Sequence, residues 1–408
     1  MYTKKVYNNI EKTKEENMKK IPYGKHSITN EDINAVVSVL ESDYLTQGPQ
    51  IAEFEKVIAE YHGAKYAVAF SNGTAALHAS YYAIGVNIGD EIITSPITFA
   101  ATANAAIYCG GKPVFADIDL STNCIDKEEI LKKINNKTKV ISPVALAGYP
   151  VDLKQIRHIA DDKKCKVLYD AAHAIGSKRD ASFGMEYLDV AILSFHPVKH
   201  ITTGEGGMAL TNDEDIYKKL LLFRTHGIIK EKDLLMRNDG PWYYEMIDLG
   251  FNYRMSDIQS ALGISQFKRI NKNLYDRNSV AKFYTDELGN NEVYILPPNV
   301  GFDILDHSNL DDVKDIHSYH LFNLRVKDKK YRKKLYDFLR ENGILAQIHY
   351  IPVYFMPYYK ESFGYSEGLC PNAEEYYYSE ISIPMYHNMK QEDTEYVIQK
   401  LKEFCKKI

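Results

Sequence analysis

The chain has 408 residues, 45% of them hydrophobic, and a formal net charge of −5, which allows a substantial core in two or three structural units. That balance provides no basic face, arguing against nucleic acid and anionic membrane as partners, and no run reaches the roughly 20 apolar residues of a membrane span. The five cysteines, Cys109, Cys124, Cys165, Cys370 and Cys405, show no C-x-x-C pair and no metal-ligand spacing, which fits a reduced, cytoplasmic setting without a bound metal.

Residues 1–20 mix Lys, Glu, Asn and Thr without an apolar stretch, so they are read as a flexible leader and not as a signal peptide. Ordered chain is expected from Ile21. Thr29 and Asp32 have capping-box spacing ahead of Ile33, Val36, Val37 and Leu40, which predicts a helix to about Ser42. Gly48-Pro49 turns into a second helix carrying Ile51, Phe54 and Ile58 and closing at Gly63. From Lys65 onward strand and helix alternate, the pattern of a mostly parallel sheet with covering helices. The predicted strands are Tyr66–Phe70, Glu91–Ser95, Lys112–Asp117 and Val140–Leu146, with an alanine-rich helix over Ala100–Cys109. Ser71-Asn72-Gly73-Thr74-Ala75 is either an ordinary helix entry or an anion site built on free first-turn amides. Asp117 and Asp119 lack further ligands at metal spacing and read as turn and capping residues.

Lys166–Tyr169 reads as a buried strand ending in Asp170-Ala171-Ala172-His173, and ligands gather beyond the carboxyl ends of such strands. Val190–Leu193 is another, and it runs into Ser194-Phe195-His196-Pro197-Val198-Lys199-His200-Ile201-Thr202-Thr203-Gly204-Glu205-Gly206-Gly207. Lys199 is by itself either a solvated loop charge or an amine made nucleophilic by desolvation. A strand-end acid together with a loop lysine suits pyridoxal 5'-phosphate, whose ring nitrogen needs an anion and whose aldehyde needs an amine.

After a polar helix, Asp213–Thr225, the irregular stretch His226–Gly250 holds the single tryptophan, Trp242, and reads as a lid or a partner contact. One helix is predicted from Met255 through Arg277 and beyond. The domain division expected is 21–285 for a large unit and 286–408 for a small one, the latter with strands Val293–Leu296 and Tyr319–Val326, a helix Tyr331–Asn342 and a closing helix from about Gln391.

The Asp170–His173 and Ser194–Gly207 segments together resemble the DegT/DnrJ/EryC1/StrS family of sugar aminotransferases, and the resemblance runs from about Ile21 to the C-terminus. It implies an α/β chain of PLP-dependent transferase fold type I, with a mixed, mostly parallel sheet in the large domain and a smaller C-terminal α+β domain. In that family's pattern Lys199 is the catalytic residue that holds the cofactor and moves protons. Asp170 faces the ring nitrogen, His173 the phenolic oxygen, and Phe99 stacks on the ring. Gly73, Thr74, Ala75 and Ser194 take the phosphate. Asn252 reaches a partner's cofactor phosphate and Arg254 an anionic substrate group, which implies a homodimer with shared sites; Arg254 could instead pair with Asp257. Tyr253, His317, Tyr319 and His349 are substrate contacts by the same resemblance, or structural residues. The implied substrates are L-glutamate and a nucleotide-linked keto-sugar. Some relatives carry histidine in the lysine place and act as dehydratases, but alignment on Ser194, Thr203 and Gly204 puts Lys199 there.

Ile21–Lys25, Gly240–Glu245 with Gly250–Met255, and Ile348–Val353 further resemble the subgroup that makes the 4-amino precursor of pseudaminic acid from a UDP-linked 4-keto-6-deoxy-N-acetyl sugar. A dTDP- or GDP-linked 3- or 4-keto sugar stays open as the substrate. So does a scaffold that binds ligand and regulates a partner without turnover.

Overall fold

A computed structural model describes residues 19–237, 239–289, 291–304, 310 and 312–408; the expected leader, except its last two residues, lies outside the described residues. Seven strands form the central sheet: β1 (Tyr66–Phe70), β2 (Glu91–Thr94), β3 (Lys112–Phe115), β4 (Thr138–Ser142), β5 (Lys166–Asp170), β6 (Val190–Ser194) and β7 (Gly207–Thr211). Their order is β1-β7-β6-β5-β4-β2-β3. Only β7 runs antiparallel to its neighbours, β1 and β6; the other pairs are parallel.

Both faces of the sheet are covered, so its strands are apolar throughout instead of alternating with polar residues. Val167, Tyr169 and Leu193 point to one core, shared with Phe54 and Ile58 of the helix Pro49–His62. Leu168 and Ile192 point to the other, with Leu77 and Tyr81 of α1 (Gly73–Ile84), Ala105 of α2 (Ala101–Tyr108) and Leu220 of the helix Glu214–Arg224. The carboxyl ends of β5 and β6 therefore bring Asp170 and Ser194 to one edge, where the active site is expected.

A third core belongs to the C-terminal unit, whose antiparallel strands Tyr294–Ile295, Phe322–Val326 and Glu380–Ile383 pack with the helices Arg332–Glu341 and Gln391–Cys405. The N-terminal strand Ile21–Pro22 pairs with Ile344–Leu345 and joins this unit. The expected single helix after Met255 is two, Asp257–Phe267 and Ile270–Leu288. They separate where Arg269 reaches back to the buried Asp32 at 2.8 Å. Asp32 also accepts the Thr29 N–H of the predicted capping box and bonds from Ser265 and Gln266. The second helix crosses residue 285, and its Val280, Tyr284 and Leu288 sit in the third core. The strand expected from Tyr319 starts only at Phe322. Before it, Tyr319 holds a positive φ of 44°, and the Ser318 and His320 N–H groups donate to Gly148 and Ala147 of the large unit.

Candidate active site

A cavity of about 850 Å³ opens at the carboxyl edge of the sheet and is lined by Asp170, Lys199, the start of α1, and residues of the small unit. The β6–β7 loop that carries Lys199 is wound around one carbonyl. Phe195 O accepts from the Thr203 N–H and the Thr202 hydroxyl, both at 3.1 Å, and Thr202 Oγ1 in turn accepts the Gly204 N–H at 2.9 Å. Gly204 is left-handed, with φ of 79°, which favours glycine there. The Lys199 N–H closes the preceding turn on His196 O at 2.9 Å. This arrangement aims the amine inward, and Lys199 Nζ comes to rest 3.4 Å from His320 Nε2. Burial brings the Lys199 amine down to about 7; the Asp170 charge opposes that shift and the Arg277 charge adds to it. At neutral pH a large fraction of the amine is therefore uncharged and nucleophilic.

Asp170 is 5% exposed. Its Oδ2 accepts from Thr102 Oγ1 at 2.6 Å and its Oδ1 from the Ala172 N–H at 3.1 Å. Burial pushes the Asp170 carboxyl up, while the Thr102 and Ala172 bonds and the Lys199 charge hold it down. A cation placed against it would favour the ionised form further, as a protonated ring nitrogen does.

At the other end of the cavity stands the N-terminus of α1. Asn72 caps it by accepting the Ala75 N–H at 2.8 Å. Gly207, opposite Ser194 and Phe70 in the sheet, admits the approach of this turn: a Cβ there would stand 2.5 Å from Asn72 O and 2.6 Å from Gly73 N. Gly73, Thr74 and Ala75 line the cavity with Ser194, and the first-turn amides not taken by Asn72 make, with the Ser194 hydroxyl, a cradle for an anion. Phe99 also lines it, and the residue is 64% exposed, which suits a ring covering a flat ligand. His173 Nε2 bonds the Tyr350 hydroxyl at 3.2 Å, and burial keeps the imidazole neutral by taking it well below its ordinary range. An anion cradle, a free aromatic face, a buried carboxylate and a desolvated amine around one cavity fit pyridoxal phosphate.

The other predicted residues divide. Tyr253 and His349 line the cavity. Asn252 is exposed and Arg254 half-buried, and neither lines the cavity. Asp257, the alternative partner of Arg254, accepts the Gly48 and Gln50 N–H groups. The structure does not bring His317 or Tyr319 to the cavity. They are buried, with stacked rings 3.8 Å apart, and His317 Nδ1 accepts the Tyr319 N–H. His320, one residue further on, takes the place beside Lys199. Sequence reasoning missed His320 and Thr102, since neither stands in a motif; the His-Ser-Tyr-His run drew attention to the wrong members. Asp117 caps the helix Pro371–Ser379 by accepting from Asn372 and Ala373.

Residues 26–402 match the DegT/DnrJ/EryC1/StrS aminotransferase family. The chain belongs to this family. It is 34% identical to the UDP-4-amino-4,6-dideoxy-N-acetyl-beta-L-altrosamine transaminase of Campylobacter jejuni, over 95% of this chain and 98% of the relative. Among solved structures, Helicobacter pylori PseC, an aminotransferase of pseudaminic acid biosynthesis, superposes with a TM-score of 0.86 at 31% identity, covering 96% of this chain and 100% of that one. NtdA from Bacillus subtilis, solved with bound cofactor PMP, gives a TM-score of 0.80 at 28% identity, covering 93% and 83%.

As a DegT/DnrJ/EryC1/StrS aminotransferase the protein is a PLP-dependent sugar aminotransferase of fold type I. When bound, the cofactor supplies an electron sink that acidifies the α-proton of an amino donor. Asp170 is placed to hold the charge that such a sink would require, and Lys199 Nζ, partly neutral at pH 7, would be the group able to accept a proton from carbon and return it. Among the described residues, no cluster of three or more His, Cys, Asp or Glu is placed to hold a metal ion, and no helix is long and apolar enough to cross a membrane.

Proposed function

We propose that the protein moves the amino group of L-glutamate to C4 of a UDP-linked 4-keto-6-deoxy-N-acetylhexosamine, giving a UDP-4-amino sugar of the pseudaminic acid type. The observation that carries this reading is the Asp170–Lys199 cavity in a chain that aligns end to end with relatives named for that transamination. The cavity is wide enough to admit a sugar beside the cofactor. Tyr23, Tyr253, His349 and Tyr350 line it with hydroxyl and imidazole groups suited to sugar hydroxyls.

The proposed protein is a cytoplasmic homodimer in which Asn252 and Arg254, unused by their own cavity, complete the partner's. In support, exposed apolar side chains gather on the same stretch, including Trp242, Met246, Leu249 and Phe251. Lys199, Asp170, His173, Phe99, Gly73, Thr74, Ala75 and Ser194 take the cofactor roles stated above. The test is a panel of UDP-, dTDP- and GDP-linked 3- and 4-keto sugars with L-glutamate as donor, with products identified by mass spectrometry and NMR. Preferential amination of the UDP-4-keto-N-acetyl sugar at C4 is expected. Equal or better turnover of a dTDP, GDP or 3-keto substrate overturns the assignment.

A further inference from the structure

His349 lines the cavity and has one ring nitrogen committed inside the small unit. Its Nδ1 lies 2.8 Å from Ser382 Oγ, and Ser382 Oγ lies 2.5 Å from Glu380 Oε1. Glu380 Oε2 accepts the backbone N–H of His349 at 2.9 Å, and the His349 carbonyl accepts the Tyr376 hydroxyl at 3.1 Å. Asn323, on the neighbouring strand, donates to Tyr376 Oη at 2.7 Å. Glu380, Ser382 and Tyr376 are fully or almost fully buried, and no described residue bonds His349 Nε2. The transamination chemistry around Lys199 uses none of these three.

We propose that Glu380 is a positioning residue that acts through Ser382 to decide which ring nitrogen of His349 carries the proton, and so whether His349 offers the ligand an acceptor or a donor. The inference rests on the reading of the cavity as the sugar site, because His349 lines it. A serine hydroxyl has one proton. When Glu380 is ionised, Ser382 gives that proton to the carboxylate, Nδ1–H must donate to Ser382 Oγ, and Nε2 faces the cavity as an acceptor for a sugar hydroxyl or amide N–H. When Glu380 is protonated, it donates to Ser382, Ser382 donates to Nδ1, and Nε2–H becomes a donor. Burial removes His349 from the range in which it could hold both protons, down to about 4, so the ring has one proton to place. Burial also lifts Glu380 to about 8, with the Ser382 and His349 bonds and Arg332 opposing. The charged and titratable groups facing the chain are Arg332, Tyr376 and Tyr350 about Glu380, and Lys199, His173, Tyr23 and Tyr350 about His349.

The experiment is ¹⁵N NMR of the histidine rings in the cofactor-loaded enzyme, with His349 assigned through His349→Gln. Above the Glu380 value of about 8, the native enzyme should show Nδ1–H. Glu380→Gln, whose amide donates to Ser382, should show Nε2–H. Ser382→Thr should keep the native form. Above that pH Glu380→Gln should also raise KM for the UDP-4-keto sugar about five- to tenfold, the worth of one hydrogen bond, with kcat changed less. Ser382→Ala serves if Glu380→Gln fails to fold, and should remove the dependence of the His349 tautomer on pH. The same tautomer in native enzyme and Glu380→Gln above pH 8, or a pH dependence untouched in Ser382→Ala, overturns the proposal. Because the spectra need no turnover, failure of the sugar assignment would show separately, as absence of amination by the native enzyme.

Discussion

His320 Nε2 stands 3.4 Å from Lys199 Nζ, and the two residues belong to different units of the protein. The backbone carbonyls of Tyr319 and His320 are held by Arg277 Nη1 at 3.0 and 3.2 Å, deep in the helix Ile270–Leu288. The position of the amine thus depends on how the small unit seats against the large one. Burial beneath that junction is what brings Lys199 down to about 7.

Capture of pyridoxal phosphate by the apoprotein should follow the neutral amine. Below about 7 the protonated form dominates, so the rate should rise about tenfold per pH unit there and level off above it. The ordinary lysine value would put this break near pH 10.5. Stopped-flow absorbance measures the rate, and a break above pH 9 would refute the desolvated amine. Lys199→Ala should leave no borohydride-trapped adduct by mass spectrometry.

Thr102→Val should weaken catalysis through Asp170. The substitution keeps the shape and removes the 2.6 Å donor that favours the ionised carboxylate. With burial already pushing Asp170 up, the loss moves it further in that direction. We expect kcat to fall about tenfold at neutral pH, with partial recovery as pH rises and the carboxylate ionises again. A pH-independent loss would mean that the threonine serves packing alone.

Gly207→Ala should damage cofactor binding more than folding. The added methyl meets backbone atoms, Asn72 O at 2.5 Å and Gly73 N at 2.6 Å, which cannot swing aside as a side chain can. The α1 N-terminus must shift, and with it the first-turn amides. Affinity for pyridoxal phosphate is expected to fall at least about tenfold, whereas affinity for dephosphorylated pyridoxal should change little. Equilibrium titration followed by absorbance distinguishes the two.

The parts of this site that could be read from the chain are those carried by one segment. Asp170 and Lys199 end or follow strands whose apolar runs are unmistakable, so these two strands and the loop positions of the acid and the amine followed from local pattern. Thr102 reaches Asp170 across 68 residues and His320 reaches Lys199 across 121. Such contacts are decided by how elements pack, and a lone threonine or histidine gives no local sign of them. The same holds for Asp32, whose capping role was legible from Thr29, whereas its pairing with Arg269 and the consequent break between two helices were not. His317 and Tyr319 failed to reach the cavity because the positive φ at Tyr319 turns that stretch inward before the strand begins.

Asp32 provides a stability test away from the chemistry. Its carboxylate, fully buried, receives the Thr29 N–H, Ser265, Gln266 and Arg269 at 2.7 to 3.2 Å. Asp32→Ala strands several donors and a partly buried guanidinium, which should cost about 3 kcal/mol. Asp32→Asn keeps the shape and one carbonyl acceptor and should cost less. Urea unfolding followed by fluorescence and circular dichroism measures both.

Mixing two inactive variants tests the shared site. If Asn252 serves the partner's cofactor phosphate, Lys199→Ala and Asn252→Ala subunits fail for different reasons. In a mixed dimer one site lacks both groups, but the other takes Lys199 from one chain and Asn252 from its partner and is intact. Random exchange makes half the dimers mixed, each with one working site of two, so about a quarter of native activity should return. The recovery should follow the rate of subunit exchange. No recovery, with mixed dimers shown by native mass spectrometry, would place Asn252 in its own chain's structure and leave the dimer without a catalytic reason.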